Sequence, residues 1–185
     1  MKFINQIRLN TALYLLKRKA KDRTRRMKAI NFDQVQSMAV IFLVDGPPSR
    51  KLIANFIQPF LLGGVICRVY GYIHKPDERY NYISDKTYTF FSEKDLNLFY
   101  QPREGVMDDF IDREWDLVLM ATQNFHFPLK WMLKLSKGKF KVGPSGHYND
   151  ELDFMIEGKE LSSELIISEI KHYLGELKIA QNEMA

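Results

Sequence analysis

The chain has 185 residues, 45% hydrophobic and 27% charged, with ten Gly and seven Pro, a globular balance that excludes a disordered or fibrous chain. That length suits one domain, or one domain with an appendage, and its single Cys excludes a disulfide framework. The net charge of +4 is unevenly placed: residues 1–28 hold ten basic residues and one acid, and the remainder holds 17 basic and 22 acidic ones, so a basic arm precedes an acidic body.

The first predicted element is a helix. Leu9, Leu13, Leu16 and Ala20, with Phe3, Ile4, Ile7, Thr11, Tyr14 and Leu15, recur at three- and four-residue spacing, and no Pro or Gly precedes Gly46. Apolar residues come first and Lys17-Arg18-Lys19 after, the reverse of a secretory signal, and no run approaches the about 20 apolar residues that span a bilayer. A cytoplasmic location is the expectation. Three roles are open to the arm. It docks on its own body while its second half serves as a solvated connector. Or it binds a polyanion, RNA or a ribonucleoprotein, through Lys17, Arg18, Lys19, Lys21, Arg23, Arg25, Arg26 and Lys28, because clustered cations release counterions from phosphates. Or Phe3, Ile4, Ile7 and Leu13 enter a membrane interface and the cations meet head groups. RNA ranks ahead of a membrane surface because the cationic block has few apolar members beyond Met27. A protein partner, or a second copy of the chain, is a further candidate for the arm.

Residues 37–44, SMAVIFLV, read as a strand buried on both faces, which points to a parallel sheet. Asp45-Gly46-Pro47-Pro48 turns the chain, Ser49 caps a helix over Arg50 to Leu62, and Gly63-Gly64 stops it. Val65 to Ile73 is the second strand, with Val65, Cys67, Val69, Gly71 and Ile73 on one face. A turn at His74-Lys75-Pro76-Asp77 follows, and Thr87 to Phe91 is the third strand. Ser92-Glu93-Lys94-Asp95 has capping-box spacing, and Pro102 opens a helix reaching Arg113. Asp116 to Ala121 is the fourth strand, Phe127 to Lys137 a helix, Lys139 to Val142 the fifth strand and Asp153 to Ile156 a sixth. A last helix starts at Leu161 or Ser162 and presents Leu165, Ile166, Ile170, Tyr173, Leu174 and Leu177. Alternation of strand and helix predicts a single three-layer α/β domain with a mainly parallel, Rossmann-like sheet of five or six strands, covering residues 32–185 after a helical arm over 1–31.

The segments Trp115–Met120, Pro128–Lys137 and Lys139–Gly143, with Phe90-Phe91 and Lys94–Asn97, resemble a small uncharacterised bacterial family. Its members place a basic N-terminal helix before an α/β domain, and the likeness covers most of the chain. It implies the fold and no activity. More loosely, the same strand-helix-strand unit is similar to one half of the heptosyltransferase-like glycosyltransferases. That likeness implies the fold and a transferase, although nothing in the chain matches the donor-binding half of those enzymes and the chain has room for one of the two domains they use.

In an open parallel sheet, ligands bind beyond the carboxyl ends of the strands. That rule selects Asp45 and Ser49 after the first strand, His74 after the second, and Gln123, Asn124 and His126 after the fourth. Asp45 is suited to a ligand hydroxyl, His126 to proton donation near neutral pH, and the backbone near Ser49 to an anion; each also has a plain turn or loop reading. Gly143-Pro144-Ser145-Gly146-His147 lacks the spacing of a phosphate loop and reads as a turn. The four His are far apart in sequence and Cys67 reads as core, so neither a metal, a cofactor nor a covalent nucleophile is expected. Lys137, Lys139 and Lys141 alternate and read as the solvated face of an edge strand. Asp108, Asp109, Asp112 and Glu114 read as an exposed acidic face. Two functional readings follow: a non-enzymatic interaction protein docking through the basic helix, and a small nucleotide- or sugar-binding domain, or glycosyltransferase-like enzyme, using the carboxyl edge.

Overall fold

The computed structural model describes residues 2–75 and 81–183, and gives the backbone course alone for residues 2–4 and 177–183. The expectations for Phe3, Ile4, Pro76, Asp77 and Leu177 lie outside the described residues or side chains. Eleven regular elements follow one another: α1 (Lys2–Ala20), β1 (Ser37–Val44), α2 (Gly46–Leu62), β2 (Ile66–Ile73), β3 (Tyr88–Ser92), α3 (Asp108–Asp112), β4 (Leu117–Met120), α4 (Phe127–Leu135), β5 (Phe140–Pro144), β6 (Phe154–Ile156) and α5 (Ser163–Glu183).

All six strands join one sheet in the order β3-β2-β1-β4-β5-β6, and every neighbouring pair is parallel. The order reverses between β1 and β4, which makes their carboxyl ends the switch point of an open doubly wound sheet. Strand alternation assigns the two faces. Met38, Val40, Phe42, Cys67, Val69 and Ile73 pack under α2 and α5, whereas Ala39, Ile41, Tyr70, Tyr72, Val118 and Met120 pack under α4, α3 and α1. Cys67 is buried in the first cluster, and burial pushes its thiol up to about 11, so it serves as core.

Three local differences from the expected elements have physical reasons. The helix after β1 starts at Gly46, with Pro at its first positions; Ser49 therefore sits inside the first turn, its hydroxyl accepting from the Asp45 N–H (3.1 Å) and donating to the Gly46 carbonyl (2.8 Å). The helix expected from Pro102 is reduced to Asp108–Asp112, because Pro102 instead bridges Leu96 and the intervening chain turns at Gly105, φ 83°. The lysine row at the start of β5 is no solvated edge. Strand β6 covers β5, Lys141 is 2% exposed with its ammonium on the Leu133 carbonyl (2.6 Å), Lys139 pairs with Asp116 (2.8 Å), and Lys137 reaches the Asp112 carbonyl (3.3 Å).

The arm folds back. Ala12 and Leu16 of α1 are buried against α4, with Leu9 and Ala20 partly buried beside them, while Ile7, Leu13 and Tyr14 remain outside. The chain then runs extended along the amino edge of the sheet, where the Lys28 N–H meets the Lys139 carbonyl (3.0 Å). Arg23 donates to the carbonyls of Ile111 and Leu135 and to Asp112, each at 2.9 Å. Arg25 forms a two-pronged pair with Asp153, whose second oxygen lies at 2.7 Å, and also reaches the Gly138 carbonyl at 3.0 Å. Among the described residues no helix is long and apolar enough to cross a membrane.

Candidate functional site: the carboxyl edge of the sheet

Beyond the carboxyl ends of β2 and β4, on the α4 side, lies a cavity of about 440 Å³. Its floor and walls are Tyr72 and His74 from β2 and its end, Glu93 from the turn after β3, and Phe125 to Pro128 entering α4; Asn5, Gln6 and Leu9 of α1 form the roof, with Tyr100 at the side. Each wall has a local cause. Tyr72 and His74 share the parity of Tyr70, whose side chain points to the α4 face, so the alternation that buries Cys67, Val69 and Ile73 on one side sends these two to the other. Glu93 is placed by the capping box: the Asp95 carboxylate accepts from the Ser92 N–H (2.8 Å) and closes a single tight turn at the end of β3. Arg8 anchors the roof, its Nε on the Leu98 carbonyl (2.8 Å) and its guanidinium 4.5 Å over the Tyr100 ring.

His126 is held from behind. The fully buried Tyr148 hydroxyl donates to the Asn124 carbonyl (2.7 Å) and accepts from the His126 N–H (3.0 Å), which fixes the loop carrying the imidazole. The ring of His126 then lies 5.0 Å from that of His74 and 5.2 Å from that of Tyr72, centroid to centroid. Burial, and secondarily the neighbouring His74, pull the His126 imidazole down to about 4. It is therefore neutral at physiological pH, one nitrogen a donor and the other an acceptor, and the expected role as an acid near neutrality does not suit it. Burial, with the Glu93 charge adding to it, raises the Tyr72 phenol well above its ordinary range and keeps it a protonated donor. Among the described residues, the Tyr72 hydroxyl, both imidazoles and the Glu93 carboxylate have no hydrogen-bond or ion-pair partner.

The other candidates separate from this cavity. Asp45 is exposed ahead of α2 and makes no side-chain cap. Ser49 is engaged within its own turn. Gln123 is a brace: its amide nitrogen donates to the Ser145 and Gly158 carbonyls and its oxygen accepts from the Leu161 N–H, all at 2.9 Å. Asn124 contributes its carbonyl to Tyr148. The structure thus brings together His74 and His126 and adds Tyr72, Glu93 and Tyr100, which strand-end reasoning missed. The period-two step from His74 back to Tyr72 carried that signal for one of them. Among the described residues no group of three His, Cys, Asp or Glu side chains is placed to hold a metal. A wider hollow of about 840 Å³ on the α2 side, lined by Arg50, Lys51, Tyr82 and Tyr88, is of a different kind: Arg50 already lies over the Tyr88 ring at 5.3 Å.

A family model matches residues 8–177, a span that includes most of α1, the whole sheet and the cavity walls from Arg8 onward. The chain belongs to DUF6913, a family of unknown function. No curated protein and no solved structure matches it. The DUF6913 match runs from within α1 through the α/β body without a break, in keeping with the packing of α1 on α4.

Proposed function

We propose that this protein binds a small, uncharged polar ligand with a flat or ring-shaped body, of the sugar or nucleoside type, in the cavity at the carboxyl edge. The observation that carries this reading is the convergence of four polar groups without a hydrogen-bond or ion-pair partner among the described residues, on Tyr72, His74, Glu93 and His126, inside walls completed by Leu9, Tyr100, Phe125, Phe127 and Pro128 and by Asn5 and Gln6 of the roof. Small-molecule sites combine an apolar, aromatic lining with a few convergent polar groups in just this proportion, and the volume falls within their usual range of about 300–1,000 Å³. The ligand class follows from charge. No Lys or Arg lines the cavity among the described residues, His126 is neutral and Glu93 is an acid, so a phosphate or carboxylate has no counter-charge here. Aromatic faces suit the C–H side of a sugar or the face of a base.

Calorimetry of the full chain against neutral monosaccharides, disaccharides and nucleosides tests the proposal. At least one should bind at pH 7, and His126→Leu, which keeps the bulk and removes both nitrogens, should weaken it at least tenfold, the equivalent of about 1.4 kcal/mol. Protonation of His126, which burial delays to about pH 4, should weaken binding further as the pH falls through that value. Binding that His126→Leu leaves unchanged would overturn the proposal, as would failure of every compound in the panel.

A further inference from the structure

A second surface lies outside the cavity. We infer that the outward face of α1 and the connector after it form a binding track for single-stranded nucleic acid. The inference is independent of the cavity and rests on how the fold divides the arm's cations. In the extended stretch after α1 the side chains alternate: Arg23 and Arg25 turn inward onto Asp112, Asp153 and backbone carbonyls, and Thr24 and Arg26 turn out. Helical spacing does the same in α1, where Leu9, Ala12, Leu16 and Ala20 face the body and Tyr14, Lys17 and Arg18 face solvent, with the exposed Lys21 in the turn just after it. Lys19 rests over the Trp131 ring at 5.1 Å. Lys17, Arg18, Lys21, Arg26 and Lys28 are exposed, and their side chains have no hydrogen-bond, ion-pair or ring partner among the described residues. Asp22 is the single acid in that stretch.

The two inward arginines change what the outward cations are. Tied to the amino edge of the sheet, the connector presents its charges from a fixed backbone, so less ordering is lost when a partner binds. Tyr14, 65% exposed, stands one helical turn before Lys17 and Arg18 and two before Lys21, on the same face. An exposed aromatic ring interleaved with phosphate-seeking cations is the arrangement on which an unpaired base stacks while its backbone is neutralised. A membrane would require apolar side chains carried through the cationic half. There the outward residues from Lys17 to Arg26 are all polar, and Met27, just before Lys28, is the one large apolar side chain exposed.

The test is fluorescence anisotropy of the full chain with labelled 20-nucleotide oligouridine and oligodeoxythymidine, in KCl from 50 to 200 mM. With five phosphates neutralised, log K against log salt should have a slope of about −3.5, a roughly hundredfold loss over that range. Replacing Lys17, Arg18, Lys21, Arg26 and Lys28 by Gln should flatten the slope and weaken binding at 50 mM by about thirtyfold or more. Tyr14→Ser should weaken it about fivefold or more without changing the slope. These side chains are exposed and make no hydrogen bond, ion pair or ring contact among the described residues, so both variants should unfold close to the wild-type temperature. His126→Leu should bind as the wild type does. Absence of binding, a slope near zero, or retention of affinity in the five-Gln variant would overturn the inference. So would tight binding to phosphatidylserine vesicles that oligouridine does not compete away.

Discussion

Asp153→Ala lowers the free energy of unfolding by about 3 kcal/mol, the lower end of what removing one partner of a buried ion pair does. Asp153 is the acid that ties the connector to the amino edge. Its carboxylate pairs with both terminal nitrogens of Arg25 and accepts from the Lys141 N–H at 2.9 Å, and its side chain is 7% exposed. Without it, Arg25 keeps only carbonyl partners, and the buried Lys141 ammonium loses one of its two nearby acids. Urea denaturation should show a lower midpoint at unchanged slope, and the melting temperature should drop by about 6–12 °C for a chain of this size. A change below about 1 kcal/mol would mean that the connector is not locked to the sheet edge.

The second large effect concerns Lys141, whose partial neutrality comes chiefly from burial. Burial lowers its ammonium to about 7, and the Arg25 and Lys134 charges add to that while Asp153 and Glu151 oppose it. The folded state thus releases this proton near pH 7, whereas the unfolded chain holds it up to the ordinary lysine value of 10.5. Between those limits the unfolded state binds more protons, so this group makes stability rise with pH, by about 3–5 kcal/mol across the window. Below pH 7 both states carry the charge and the contribution is flat, at its most unfavourable. Lys141→Met should therefore stabilise the protein by about 1–2 kcal/mol at pH 6, where the charged wild-type side chain is buried. At pH 10 the gain should turn into a loss, because by then the wild type has recovered more than that amount and its neutral amine still donates to the Leu133 carbonyl. Unfolding curves of both proteins at pH 6, 8 and 10 isolate the difference; a gain independent of pH would show that Lys141 stays charged throughout.

The sheet was legible because its strands are apolar runs bounded by turn residues. SMAVIFLV forms β1 as read, and the parity assigned to Cys67, Val69 and Ile73 is the one observed. What local pattern cannot carry is which strand lies at the edge. The three-residue strand β6 converts β5 from an edge into an interior strand, and with it Lys141 from a solvated residue into a buried one. The same limit applies to α1. Its spacing announced a helix, yet Ile7, Leu13 and Tyr14 carry the same periodic signal as Ala12 and Leu16 and end up on the outside. Of the cavity, His74 and His126 followed from the strand-end rule, because parallel strands bring all their carboxyl ends together. Glu93 and Tyr100, and a roof made from the first helix, depend on contacts between segments about 90 residues apart, for which the chain has no local mark.

The cavity at the carboxyl edge should bind its ligand without help from the basic track. Amide and imidazole NMR spectra of the labelled full chain, recorded while the neutral sugar and nucleoside panel is added at pH 7, test it most directly. Shift changes should concentrate on Tyr72, His74, Glu93, Tyr100 and His126, with Asn5, Gln6 and Leu9 of the roof moving together with them. Saturating additions that leave these signals in place, or that perturb the α2 hollow around Arg50 and Tyr88 instead, would contradict it.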